Sequence, residues 1–99
     1  MSISEDQTRQ VEAMISDNLQ IHHRNKVAFQ SVRAKPALDL DNEEYLSVWV
    51  IYDGDPHSLD PRLLNSFHRV IVEPLRNLGI HARPSISYIH KSEAHELSI

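Results

Sequence analysis

The sequence predicts a two-layer α+β domain built in the order helix, strand, strand, helix, strand. Two segments, residues 4–21 and 60–78, repeat apolar side chains every three or four positions, which is typical of amphipathic helices. Three segments, residues 26–34, 45–52 and 84–90, are rich in β-branched and aromatic residues. Two helices can cover only one face of a three-stranded sheet, so we expect a mixed sheet with both helices on one side.

The length of the chain indicates a single domain. Its 99 residues are the usual size of one domain, and 40% of them are hydrophobic, enough for one modest core. We expect an ordered region over about residues 4–91. Residues 92–99 show no apolar pattern and are expected to form a flexible tail.

The first helix is predicted to begin at Ser4, whose hydroxyl can form a capping box with Gln7. A start at Ser2 is the alternative. The pair His22–His23 should end the helix, with the two rings pointing in different directions. We interpret this pair as complementing the negative C-terminal end of the helix dipole. The apolar stripe of the helix consists of Val11, Met14, Ile15 and Leu19.

The first two strands are predicted to form an antiparallel hairpin. The first is expected to end before Pro36, since proline cannot donate a hydrogen bond to a strand ladder. An acidic connection over residues 39–44 follows. The second strand, 45–52, has two different faces. One carries Leu46, Val48, Val50 and Tyr52, which we assign to the core, and the other carries Tyr45, Ser47, Trp49 and Ile51.

The second helix is predicted to start at Asp60–Pro61, where Asp60 caps the helix and the missing N–H of Pro61 costs nothing. Pro74 lies inside the apolar pattern and predicts a kink or a break. We favour one bent helix, because the pattern keeps its phase on both sides of the proline. Gly79 is expected to end the helix in a left-handed conformation. This helix is a crossover, so the third strand should run parallel to the second.

Composition excludes several classes of function. The chain has no cysteine, which excludes disulfides and thiolate metal ligands. The net charge of −4 is unlike that of a protein that coats nucleic acid. No apolar run approaches the roughly 18 residues of a membrane span, so we expect a cytoplasmic protein without a membrane partner. No motif for a phosphate-binding loop, a dinucleotide or a metalloprotease is present, so we expect no enzyme and no cofactor.

The main functional prediction concerns the sheet face that the two helices leave open. Aromatic residues on such a face usually mark an interface. The candidate interface residues are Tyr45, Trp49, Ile51, Phe29 and Ile89. We therefore expect a small non-enzymatic interaction or accessory module, either a homodimer or the partner of another protein. The alternative is that loop 36–44 or the tail folds over this face.

A metal-responsive domain is a second possible function, because seven of the residues are histidine. Asp53, Asp55 and His57 alternate just after the second strand, where sheets of this class tend to bind ligands. A second candidate set consists of His90, Glu93 and His95. The acidic loop 39–44 also alternates oxygen donors, but it lacks the glycine and distal glutamate of a calcium-binding loop, so we interpret it as solvated.

Phosphate or nucleic-acid binding is a third possible function. Arg62, Arg69 and Arg76 recur every seven residues and should lie in line on the outer face of the second helix. Glu73 is within one helical turn of Arg69 and Arg76, where it would offset both charges. We therefore favour an ordinary solvated helix face and do not expect nucleic acid as the partner.

Overall fold

The computed structural model describes residues 3–23, 28–55 and 59–96 and has the predicted α+β architecture. The order of elements is helix, strand, strand, helix, strand, followed by a short helix at the end. These elements are α1 (Glu5–His22), β1 (Ala28–Leu38), β2 (Glu44–Asp53), α2 (Pro61–Asn77), β3 (Arg83–His90) and α3 (Lys91–Glu96).

The three strands form one mixed sheet in the order β1-β2-β3. The hairpin strands β1 and β2 are antiparallel, and β3 runs parallel to β2, as predicted from the helical crossover. The face of β2 assigned to the core is buried, and α1 and α2 pack against it. The centre of this core consists of Val11, Ile15, Leu19, Leu46, Val48, Val50, Phe67, Ile71 and Leu75.

The start of α1 and the end of α2 are tied together by Gln7. The Ser4 hydroxyl accepts from the backbone N–H of Gln7 at 3.1 Å, and the Gln7 side-chain oxygen accepts from the N–H of Ser4 at 2.9 Å. This is the predicted capping box. The Gln7 amide nitrogen also donates to the carbonyl of Leu78 at 3.0 Å, just past the end of α2. One residue therefore satisfies groups at two helix ends.

Helix α2 runs continuously through Pro74, as expected for a single helix. It ends in a Schellman motif: the N–H of Gly79 donates to the carbonyl of Arg76, and the N–H of Ile80 donates to that of Leu75. Gly79 has a φ of 78°, the left-handed conformation predicted for this position. The buried side chains of Ile80 and Leu75 complete the motif.

The prediction that Pro36 ends the first strand is wrong, because β1 continues to Leu38 with Pro36 opposite Leu46. The reason is the position of β1 at the edge of the sheet. Two residues earlier, the N–H of Ala34 donates to the carboxylate of Glu12 at 2.9 Å instead of to β2. In an extended strand, the backbone N–H groups of residues two positions apart point to the same edge of the sheet. The backbone nitrogen of Pro36 therefore also faces the outer edge, where a missing N–H removes no ladder bond.

The acidic connection between β1 and β2 is a tight hairpin turn. One carboxylate oxygen of Asp39 accepts from the backbone N–H groups of Asp41 and Glu43 at 2.8 and 3.0 Å. Asn42 has a φ of 60°, a conformation that asparagine tolerates well. Asp39 therefore organises its own backbone, which explains its position without a bound calcium ion.

The tail is partly helical, in contrast to the expected flexible segment over residues 92–99. Helix α3 contacts β2 and β3, and its Ala94 is only 5% exposed. This contact with the sheet orders a segment that has no amphipathic pattern of its own. Residues 97–99 lie outside the described part of the chain. Among the described residues, no helix combines the length and apolar character needed to cross a bilayer.

Candidate functional site: the open face of the sheet

The face of the sheet opposite α1 and α2 is defined by the strand register. Trp49 on the central strand lies between Arg33 and Ser87, and Tyr45 lies between Ala37 and Arg83. Paired residues point to the same side of a sheet. We call this surface the open face; it consists of Ser31, Arg33, Lys35, Ala37, Tyr45, Ser47, Trp49, Ile51, Arg83, Ser85, Ser87 and Ile89.

Trp49 is the exposed aromatic residue at the centre of the open face. This residue is 41% exposed, whereas Tyr45 and Ile89 are half-buried. Four of the five predicted interface residues therefore share this face: Tyr45, Trp49, Ile51 and Ile89. Ile51 is only 5% exposed, so the patch available to a partner is smaller than the sequence indicated.

Phe29 was expected on the open face, and the structure places it in the core instead. Simple alternation along β1 would put Phe29 on the same side as Ser31 and Arg33. The register shifts between Phe29 and Ser31, and Phe29 is paired with the core residue Tyr52. A bulge of this kind inserts one extra residue and reverses the side to which the preceding side chains point.

One end of the open face is covered by α3. Ile51 and Ala94 are both buried but do not belong to the core formed with α1 and α2. Since α3 contacts both β2 and β3, we infer that Ala94 packs over the Ile51 end of the face. At the other end, Leu40 of the loop between β1 and β2 is fully exposed and so does not pack on the face. Of the two segments expected to cover this face, the tail therefore does so at one end.

The open face is positively charged, although the whole chain carries a net charge of −4. Arg33, Lys35 and Arg83 are exposed, and the acidic residue that alternation along β2 adds at its last position, Asp53, lies 4.0 Å from the ammonium of Lys91. The guanidinium carbon of Arg83 lies 5.9 Å from the centre of the Tyr45 ring, within the range of a cation–π interaction. Four serines supply hydroxyl groups between these cations and the aromatic rings. The surface therefore combines stacking, hydrogen-bonding and cationic groups.

Each predicted metal set includes a side chain outside the described part of the chain, and the described residues hold no group of three or more histidine, aspartate or glutamate side chains able to share an ion. Asp53 instead approaches the ammonium of Lys91 at 4.0 Å. The ring nitrogens of His90 are engaged by the carbonyl of Gly54 and the hydroxyl of Ser92, both at 2.9 Å. His57 and the side chain of His95 lie outside the described residues.

The arginine row on α2 is exposed to solvent. Arg62, Arg69 and Arg76 are all exposed, and so is Glu73 between them. No described hydrogen bond or ion pair arranges these side chains around a common point. The exposure of the three arginines is what the interpretation as an ordinary solvated helix face predicts.

A histidine pair with one buried ring, that of His23, is the feature that sequence reasoning missed. The rings of His22 and His23 are nearly perpendicular, with centroids 5.6 Å apart. His22 reaches α2, where its Nε2 lies 3.0 Å from the carbonyl of Leu63 and 2.9 Å from the hydroxyl of Ser66. His23 is 2% exposed and packs edge-on against Phe29. The sequence predicted that the two rings diverge. It did not indicate the burial of His23, because nothing in a histidine pair at a helix end distinguishes a buried ring from an exposed one.

The electrostatics of His23 differ from those of a surface histidine. Its Nε2 has no hydrogen-bond partner among the described residues. Burial lowers the pKa of His23, the neighbouring His22 lowers it further, and Asp60 opposes both effects. The ring is therefore held in its neutral form at neutral pH, which argues against the interpretation of this residue as a positive charge at the helix end.

No protein-family model, curated protein or solved structure was found to match this chain.

Proposed function

We propose that this protein is a small non-enzymatic interaction module that docks a partner protein on its open face. The observation that carries the proposal is the position of Trp49. A tryptophan in the middle of a strand, 41% exposed and surrounded by cations and hydroxyl groups, has the composition of an interface hot spot. The proposal includes a cytoplasmic location, where the module would act as an accessory to its partner.

The charge of the open face favours a different protein over a second copy. Face-to-face packing of two copies would bring Arg33, Lys35 and Arg83 of one copy towards the same cations of the other. Like charges placed together at an interface oppose association. A partner with an acidic surface would gain from the same residues. Homodimerisation is therefore the second form of the proposal.

Capture of partners by matched variants tests this function. Tagged protein and two variants, Trp49→Ser and Val70→Ser, are used to retain proteins from the cell extract. Val70 is the control because it is also an exposed apolar residue, at 37%, but lies on α2 and not on the open face. We expect a defined protein to be retained by the parent and by Val70→Ser and lost with Trp49→Ser. Equal retention by all three would overturn the proposal.

Sedimentation separates the two forms of the proposal. A homodimer across the open face would sediment as a dimer at high concentration and as a monomer after Trp49→Ser. A monomer in both cases, together with loss of a captured protein, would assign the face to a different partner.

A further inference from the structure

We propose that the occupant of the open face is an acidic amphipathic helix of a partner protein, lying beside α3. This inference rests on the proposed function and adds the chemistry and shape of the partner. Three features of the described residues lead to it: the charge of the face, the helix that already packs on it, and the acidic groups at its ends.

Charge complementarity indicates that the partner surface is negatively charged. Arg33 and Lys35 lie two residues apart on β1, and Arg83 lies on β3 at the other side of Trp49 and Tyr45. All three cations are exposed. A partner that places carboxylates around an apolar stripe would meet these cations while its stripe covers Trp49. Such complementarity raises both association rate and specificity.

The geometry of α3 indicates that the occupant is a helix. The segment of β2 from Tyr45 to Ile51 is about 20 Å long at the rise of a strand. Helix α3 has six residues, which corresponds to a length of about 9 Å and a diameter of about 10 Å. It lies at the Ile51 end of the face and leaves Trp49 exposed. A partner helix laid over Trp49 would continue the layer that α3 begins.

The ends of the open face argue against a polynucleotide as the occupant. Asp39, Glu43 and Glu44 line a cleft next to Tyr45 and Arg83 at one end. Asp53 follows Ile51 at the other end. A single-stranded nucleic acid needs a continuous cationic track for its phosphates. The cationic part of this face is short, and carboxylates lie at both of its ends. Such a patch suits a compact acidic helix better than the extended backbone of a polynucleotide.

Fluorescence of Trp49 provides a direct test, because it is the only tryptophan in the chain. The probe is a designed helical peptide of about five turns with leucine along one face, glutamate on the rest and no aromatic residue. A second peptide carries lysine at every glutamate position. We expect the acidic peptide to shift the Trp49 emission to shorter wavelength in a saturable way and to bind at least about tenfold more tightly than the basic peptide.

Charge reversal supplies the matched variants. Arg33→Glu combined with Lys35→Glu should weaken binding of the acidic peptide by about tenfold or more. Arg69→Glu, at an exposed position on α2, should leave it unchanged. Circular dichroism of each variant checks that the fold is intact, which we expect because all three side chains are exposed.

Three results would overturn the inference: equal binding of the acidic and basic peptides, unchanged binding after the charge reversals on β1, or tighter binding of an oligouridylate of about twelve nucleotides. If Trp49→Ser still abolishes capture of a partner in those cases, the proposed docking function stands and only the acidic helix is wrong. If Trp49→Ser retains every captured protein, the docking function itself fails.

Discussion

His23 shows how the position of a single residue changes its chemistry. In an unfolded chain its ring titrates near pH 6.5. In the folded protein the ring is buried against Phe29, and both burial and His22 lower its pKa. The folded state therefore binds a proton at His23 less readily than the unfolded state. Protonation of this residue favours unfolding.

This difference predicts a loss of stability at mildly acidic pH. Above about pH 6.5 both states hold His23 neutral, so the residue adds no pH dependence. As the pH falls below that value, the unfolded chain takes up the proton first, and the free energy of unfolding declines until the lower folded-state pKa is reached. We expect His23→Leu to reduce this decline, measured as urea unfolding midpoints at about pH 7.5 and 5.5.

The control for this prediction is His68→Gln, since His68 is exposed on α2. It should leave the dependence of the unfolding midpoint on pH close to that of the parent. Asp60 raises the pKa of His23, so Asp60→Asn should enlarge the loss. Parallel pH profiles for the parent and His23→Leu would contradict the assignment of the effect to His23.

At the scale of elements, α2 keeps its proline inside the helix. Pro74 has no N–H to donate towards the carbonyl of Val70, and its ring crowds that turn. The buried residues Phe67, Ile71 and Leu75 hold the helix on the sheet on both sides of the proline. Packing of the apolar stripe therefore outweighs the local cost of the proline.

Replacing Pro74 should stabilise the protein. Pro74→Ala restores one helical hydrogen bond, and this gain exceeds the extra freedom that alanine gives to the unfolded chain. We expect the free energy of unfolding to rise by about 1–2 kcal/mol, measured by thermal denaturation. Glu73→Ala is the control, because Glu73 immediately precedes Pro74 and is exposed. This variant should change the free energy of unfolding little. A lower melting temperature for Pro74→Ala would mean that the proline fixes a necessary bend.

Helix α3 contacts β2 and β3, and we infer that it packs on the side of the sheet opposite the core. Ala94 and Ile51 are each 5% exposed, so a charge at position 94 would be forced into an apolar contact. We expect Ala94→Glu to lower the free energy of unfolding by about 1–3 kcal/mol in chemical denaturation. Glu93→Gln, exposed on the same helix, should leave it unchanged. Wild-type stability of Ala94→Glu would show that α3 does not cover Ile51.

At the scale of the whole molecule, the balance of charge depends on pH. The net charge is −4 with all seven histidines neutral. Protonation of the histidines below about pH 6.5 carries the net charge through zero. Self-repulsion is weakest at that point.

We therefore predict a solubility minimum at mildly acidic pH. The measurement is the concentration of protein that remains in solution after equilibration at a series of pH values. Added salt should reduce the depth of the minimum if electrostatic attraction between copies causes it. A solubility that falls steadily towards low pH without recovering would instead point to unfolding, consistent with protonation of His23.

Local patterns predicted most of the fold. The capping box at Ser4, the cap at Asp60 and the left-handed Gly79 all rest on neighbours within a few residues. The core face of β2 follows from simple alternation, because side chains on a strand repeat every two residues. The parallel direction of β3 follows from the helical crossover. Trp49 was predicted on the open face for the same reason.

The tertiary structure decided the features that depend on contacts between distant segments. Pro36 remains in β1 because that strand lies at an edge, and Phe29 enters the core because one bulge reverses the alternation. The burial of His23 and the packing of α3 on Ile51 likewise need partners far away in the chain. By itself the sequence determined the central residues of α1, β2, α2 and β3 and the side that each of these elements turns to the core, since those depend on short-range periodicity. Which surfaces stay exposed, and with what charge, depends on how the elements pack together.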